Sequence, residues 1–325
     1  MQDTPAPDNR IPVTVITGAL GAGKTTLLNH LLTQTRDRRL AVIVNEFGDA
    51  GIDGDLIDTG QEELVELSSG CICCVVRGDL IRTLRDLAKR SPAPDGVLIE
   101  TTGLANPSPV IQTFYADQIV AGHYRLDSVV AVVDAIHVTL QLSQSQDAVD
   151  QIALADLIVL NKTANAPALA DLERALQAIN PFAMVLPTDR GRVNAGDLLD
   201  RHGFDLDRIA DRMGDDVHDH GHIAAHGIAS VSVICDTPLD ADALEAWLTE
   251  LLARRGPYIL RIKGIIDCGD PRRLVIQAVH MLMEGDFITP WPLGPRRSRI
   301  VFIGRDLDPA ELRLGVRTCA QTAPL

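Results

Sequence analysis

The stretch VTVITGALGAGKTTLLNHLLTQ (13–34) holds three kinds of local order in 22 residues. It opens with a β-branched apolar run, turns through a glycine-rich segment, and ends in a helical pattern. Leu27, Leu28, Leu31 and Leu32 form one apolar stripe of that helix. Within it, GALGAGKT (18–25) fits the spacing G-x-x-x-x-G-K-S/T, directly after a strand and directly before a helix. Glycines there let backbone N–H groups turn inward and cradle phosphate oxygens at a helix N-terminus. The segment Gly18, Ala19, Leu20, Gly21, Ala22, Gly23, Lys24, Thr25 and Thr26 is therefore a candidate triphosphate loop. Lys24 is placed to reach the β- and γ-phosphates and the Thr25 hydroxyl to ligate Mg²⁺. A dinucleotide fingerprint does not fit, because Thr26 stands where a third small residue would be needed.

Outward from this stretch, short aliphatic runs alternate with helical patterns at 40–46, 96–103, 128–135, 157–162 and 183–188. Strand, helix, strand repeated in this way predicts an α/β fold, a mainly parallel sheet with helices on both faces. Composition agrees: 46% hydrophobic residues with only 3% aromatics means cores of Val, Ile, Leu and Ala. Residues 1–204 are assigned to this domain. Residues 205–227, rich in Asp and His, read as a linker, and 228–325 as a smaller α+β domain. In that tail strands are expected at 228–234, 258–267, 273–280 and 299–304. A helix opens near Thr237, Pro238 and Asp240, and a last one at Asp308-Pro309-Ala310-Glu311.

The formal net charge of −14 argues against nucleic-acid or anionic-membrane partners. The basic run GPRRSR (294–299) reads as a solvated face. No apolar run is long enough for a membrane span, and the polar N-terminus has no signal pattern, so a cytoplasmic, reduced setting is expected. In that setting clustered cysteines read as metal ligands before disulfides. Cys71, Cys73 and Cys74 place three of the six cysteines within four residues. Three thiolates at this spacing suit Zn²⁺ and leave a ligand position to be supplied from elsewhere or left open. The competing readings are a redox pair, disfavoured by the strain of an adjacent disulfide, and plain packing. Glu46 is a further candidate ligand. His218, His220 and His222, with His226, could collect metal loosely or simply line a polar linker. Cys235, Cys268 and Cys319 read as core residues, and His137 and His280 as structural histidines.

Two further elements bear on the nucleotide. Glu100 closes an apolar run in LIETTG (98–103), where a carboxylate facing the phosphate loop organises Mg²⁺ or water, and the Gly103 N–H is placed to meet the γ-phosphate. Asn161-Lys162 begins a guanine-reading N-K-x-D element, but Ala164 occupies the Asp position. Losing that acceptor removes about 1.5–3 kcal/mol per bond of guanine discrimination. GTP is the first choice of nucleotide.

Together GALGAGKTT, NEFGDAGIDGDL, GCICC, ETTGLANP and LNK resemble the CobW-type P-loop GTPases, relatives of the GTPases that help insert nickel into urease and hydrogenase. The tail LRIKGIIDCGDPRRLVIQAVH with RRSRIVFIGRDLD resembles the C-terminal domain of that group. The resemblance implies a GTP-hydrolysing metal chaperone with the C-x-C-C motif as its metal site. Its metal would be zinc, with Co²⁺ or Ni²⁺ as alternatives. GTP and GDP would be its ligands, with a metalloprotein client met mainly by the C-terminal domain, and a homo-oligomer is compatible with it. Three other classes stay open: a cobalt-handling accessory of cobalamin synthesis, a P-loop kinase, and a nucleotide-binding metal-storage or sensing protein.

Overall fold

The computed structural model describes residues 8–45, 63–67, 75–103, 106–166, 168–201 and 227–321, with backbone alone at 45, 63–67 and 75–77. They divide into two compact units, the larger within Asn9–Gln177 and Phe182–Asp205, the smaller within Met1–Asp8, Ala178–Pro181 and Leu206–Leu325.

The larger unit is a seven-stranded sheet in the order β3-β2-β4-β1-β5-β6-β7. Its strands are β1 Ile11–Thr17, β2 Leu40–Asn45, β3 Glu63–Leu67, β4 Gly96–Glu100, β5 Tyr124–Asp134, β6 Leu157–Asn161 and β7 Met184–Pro187. Every pairing among them is parallel. The side-chain period of two splits each strand between two cores. On one face Ile16, Val42, Val44 and Leu98 meet α1 (Lys24–Gln34). On the other, Val13, Val15, Ala41, Ile43, Val97 and Ile99 meet α2 (Val75–Ala88), α3 (Ser108–Ala116) and α4 (Gln118–His123). The Leu27, Leu28, Leu31 and Leu32 stripe is at most 2% exposed. At about 1.5–3 kcal/mol per buried leucine, packing rather than intrinsic propensity holds α1 in place. The short strand β3 was not anticipated: ELVEL is only five residues, two of them glutamate, a composition that suits a sheet edge.

Beyond β5 come α5 (Val138–Gln144), α6 (Gln146–Leu154) and α7 (Leu169–Ile179). Asp117 caps α4, accepting from the Ile119 and Val120 amides, and pairs with Arg85 of α2 at 2.7 Å. These contacts hold its carboxyl below the usual carboxylate range, the Val120 hydrogen bond contributing most.

The smaller unit is an antiparallel sheet in the order β11-β10-β9-β12-β8. Its elements are β8 Ile228–Cys235, α8 Ala241–Arg255, β9 Ile259–Ile266, β10 Arg272–Val279, β11 Leu282–Pro290, β12 Ser298–Arg305 and α9 Pro309–Thr318. Leu244, Leu248, Leu251 and Leu252 of α8 pack with Leu312 and Val316 of α9 on Ile262, Ile266, Ile276, Ile300 and Phe302. Trp247 meets Phe302 edge-on at 6.1 Å.

Here the structure corrects the sequence reading twice. The strand β11 went unseen, because its run Leu282–Pro290 carries a glycine and two acids and is mostly exposed. Helix α8 starts later than expected, since Asp240 is itself the cap, accepting from the Ala243 amide at 2.8 Å. Thr237 lies in a bend and Pro238 outside the helix, and Leu239 bridges to Ala320 and gives its N–H to Asp267 O. At α9 the expected cap is present, Asp308 accepting from the Ala310 and Glu311 amides. Of the three cysteines read as core, Cys319 is buried and Cys235 and Cys268 are half-buried.

Candidate functional site

The turn between β1 and α1 is held at both ends. The Ala22 amide bonds back to Ala19 O at 3.1 Å, and the first helical bond runs from Leu27 N–H to Gly23 O at 2.9 Å. First-turn amides thus lie outside the helical ladder, at the positive end of the helix. Gly23 sits at φ 107°, and a Cβ there would come within 2.4 Å of Asn161 Nδ2, so both conformation and space require glycine. Lys24 is buried, its ammonium donating to Gly18 O at 3.0 Å and Ala19 O at 3.3 Å. The cation is curled over the loop where phosphate charge would be neutralised.

Parallel topology brings the C-terminal ends of β4, β5 and β6 around this turn. From β4, Glu100 is 4% exposed and accepts a hydrogen bond from Thr25 Oγ1 at 3.0 Å. Thr101 follows, donating to Thr17 Oγ1 at 3.0 Å, while its amide reaches Ile16 O at 2.9 Å. The next turn presses on the loop: a Cβ on Gly103 would lie 2.5 Å from Leu20 N. A hydroxyl and a carboxylate joined in this way are hard oxygen donors, the chemistry Mg²⁺ takes.

From β6, Asn161 is buried and used twice. Its Nδ2 donates to Ala22 O at 2.9 Å, and its Oδ1 accepts from the Gly191 amide at 3.0 Å. Lys162, in the left-handed region at φ 63°, donates to Gly21 O and to Asp134 Oδ2, both at 2.8 Å. Both residues brace the phosphate loop.

Asp134, at the end of β5, was missed by the sequence reading. The signal was available, since SVVAVVDA ends a buried run in an acid just as LIETTG does. It accepts from Lys162, from His137 Nδ1 at 2.9 Å and from the Ile136 amide at 2.9 Å. Burial pushes its pKa up, but the hydrogen bonds from Lys162, His137 and Ile136 outweigh this and leave it below the ordinary value. His137 is thereby tied to a carboxylate.

All the expected nucleotide residues, Gly18 to Thr26 with Glu100, Gly103, Asn161 and Lys162, therefore meet around one turn. Cys71, Cys73, Cys74, Glu46, His218, His220 and His222 lie outside the described residues. Among the described residues no group of three or more His, Cys, Asp or Glu side chains is arranged to hold a metal ion. None of the described helices is long and apolar enough to cross a membrane.

Comparison with known proteins returns two family models. CobW/HypB/UreG, nucleotide-binding domain, matches residues 12–187, and Cobalamin synthesis protein cobW C-terminal domain matches 228–320. The chain is 37% identical over 322 residues to the zinc chaperone YjiA of Escherichia coli, covering 94% of this chain and 97% of that one. It is 33% identical over 354 residues to the zinc chaperone CobW of a Sinorhizobium species, covering 96% and 98%. The crystal structure of Zn(II)-bound YjiA GTPase from E. coli superposes with a TM-score of 0.73 at 30% identity, over 96% of this chain and 100% of that one.

Proposed function

Because the chain belongs to the CobW/HypB/UreG family, we propose that it is a GTP-hydrolysing zinc chaperone. The observation that carries this reading is the Thr25–Glu100 pair at 3.0 Å beside the curled Lys24, in a chain whose full-length relatives are named zinc chaperones. Lys24 neutralises phosphate charge, and the first-turn amides of α1 receive phosphate oxygens. Thr25 and Glu100 hold Mg²⁺, which when bound screens the phosphate charge. Glu100 also orients water for attack on the γ-phosphorus. Gly103, packed on Leu20, is positioned to register whether a γ-phosphate is present.

Zinc is the cargo. Cys71, Cys73 and Cys74 are its proposed ligands on the strength of their spacing, with Glu46 as an additional donor and His218, His220 and His222 as a weak collecting segment. Thiolate ligands of this kind need a reducing compartment, which puts the work in the cytoplasm. The cysteines fall in the chain between β3 and α2, ahead of β4, whose last residue Glu100 meets Thr25 of the phosphate loop. A change there on hydrolysis would alter zinc affinity and release the ion to a client met by the C-terminal unit. Co²⁺ and Ni²⁺ stand behind Zn²⁺ as cargo, since the named relatives handle zinc.

The test is zinc affinity by chelator competition in the nucleotide-free, GDP and non-hydrolysable GTP states, with Cys71, Cys73 and Cys74 replaced by Ser as the site control. A difference of at least tenfold between the GTP and GDP states is expected, about 1.4 kcal/mol of coupling. Equal affinity in every state would reject release by hydrolysis.

A further inference from the structure

The guanine carboxylate expected at position 164 is absent, and residues 162–166 after β6 contain no other acid. Ala164 has no polar side-chain atom, the Thr163 hydroxyl is committed to Thr188 O at 2.8 Å, and the exposed Asn165 brings a neutral amide rather than a carboxylate. The neighbouring segment after β7 is built differently. Thr188 gives its amide to Leu160 O at 2.8 Å and its hydroxyl to Arg192 O at 2.8 Å, which closes residues 188–192 into a tight loop. Arg190 at φ 54° and Gly191 at φ 64° are consecutive left-handed residues. For Arg that conformation is unfavourable, and such strain persists where surrounding contacts enforce it.

Those contacts come from the end of β6 and the start of α1. Asn161 joins Ala22 O to the Gly191 amide, and a Cβ on Gly191 would lie 3.1 Å from Leu27 Cα of α1. Through Asn161 and Leu27, loop 188–192 is therefore held beside the phosphate loop and the first turn of α1. There an open cleft of about 410 Å³ is lined by Thr188, Asp189, Arg190 and Arg192. This volume is within the range of small-molecule sites. The side chains of Asp189, Arg190 and Arg192 are exposed to it as one acceptor and two cations.

We infer that this loop reads the nucleotide base, Asp189 accepting from the guanine N1–H and 2-amino group while Arg190 and Arg192 face O6 and N7. Guanine presents two adjacent donors on its Watson–Crick edge, which a carboxylate binds in a bidentate way. It presents O6 and N7 acceptors on the edge that guanidinium groups match. Adenine has an amino donor where guanine has O6, so the same cations disfavour it. The inference deepens the GTP reading and rests on it. Position 164 then carries no base-reading role, and specificity passes from one loop to its neighbour.

The experiment is competition of GDP, IDP, XDP and ADP against a fluorescent guanine nucleotide on the full chain, for the native protein and for Asp189→Asn. The native protein is expected to bind GDP at least tenfold more tightly than IDP, which lacks the 2-amino donor, and than XDP. In Asp189→Asn the amide N–H suits the xanthine 2-oxo group, so the GDP-to-XDP preference should fall at least tenfold and XDP binding should improve outright. Arg190→Ala with Arg192→Ala should narrow the GDP-to-ADP ratio while leaving thermal stability unchanged. A GDP-to-XDP ratio unchanged within twofold in Asp189→Asn overturns the assignment while the GTP reading stands. Equal binding of ADP and GDP by the native protein overturns both. Lys24→Ala separates base from phosphate, because it should weaken every nucleotide alike.

Discussion

Thr25 Oγ1 donates to Glu100 Oε1 across 3.0 Å, joining the first turn of α1 to the end of β4 although 75 residues separate the two. The carboxylate is thus already aimed at the phosphate loop. Glu100→Gln keeps the shape and the Thr25 hydrogen bond but loses the charge. Nucleotide binding should survive, while steady-state GTP hydrolysis, followed by phosphate release, should fall by about 10²–10⁴-fold. Retention of native turnover would remove Glu100 from the chemistry.

Asn161 joins two backbone groups, Ala22 O and the Gly191 amide, inside a buried space. Truncation in Asn161→Ala leaves both without their partner, at a cost of about 1–3 kcal/mol each. A lower midpoint in urea is expected together with weaker binding of both GTP and GDP, because the phosphate loop loses its brace. A change confined to GTP would contradict a bracing role.

Gly103 lies so close to the loop that an added Cβ would meet Leu20 N at 2.5 Å and Leu20 Cα at 2.6 Å. Both are backbone atoms and cannot step aside cheaply. Gly103→Ala should therefore displace the ETTG turn, lowering hydrolysis at least tenfold and abolishing any difference in zinc affinity between the GTP and GDP states. Unimpaired coupling in this variant would show that the nucleotide is sensed elsewhere.

His280, in the turn between β10 and β11 at φ 51°, has its pKa lowered, chiefly by burial, with Arg305 adding to the effect and a hydrogen bond with the Gly256 backbone opposing it. A depressed histidine binds its proton more readily in the unfolded chain. Stability from neutral His280 is therefore complete above the unfolded value near 6.5 and is lost as pH falls from there toward the folded pKa. His280→Asn tolerates the left-handed backbone and removes the titration. Thermal melts between pH 7.5 and 5.5 should show a smaller decline for this variant than for the native chain.

Asp134 gives a second, more acidic window. Its carboxyl is below the ordinary value in the fold, so its contribution is complete above the unfolded value near 3.9 and is lost as pH falls further. Asp134→Asn should flatten the acid limb of unfolding there and free the Lys162 ammonium from its carboxylate.

Much of the site was legible because its chemistry is local. The spacing of Gly18, Gly23, Lys24 and Thr25 carries the turn, the helix start and the cation in eight residues. Glu100 was legible because an acid closing a buried run has few other reasons to be there. Asp134 has the same signature and was passed over, since Lys162, which ties it to the phosphate loop, is 28 residues away in the chain. Strands β3 and β11 escaped for another reason: both stand at sheet edges and carry two acids each, so the unbroken aliphatic run that marks an inner strand is missing.

The sequence by itself determined the parallel sheet, the phosphate loop and the family, because each rests on short-range order: period two in the strands, one apolar stripe on α1, one glycine spacing. Only the tertiary structure decided what Asn161, Lys162 and loop 188–192 do. Their roles depend on which strands stand next to β1, and the order β4-β1-β5-β6-β7 sets β6 and β7 together on one side of it, where Asn161 links Ala22 to Gly191. Hydrogen bonds such as Asn161 to Ala22, 139 residues apart, exist only once that order is set.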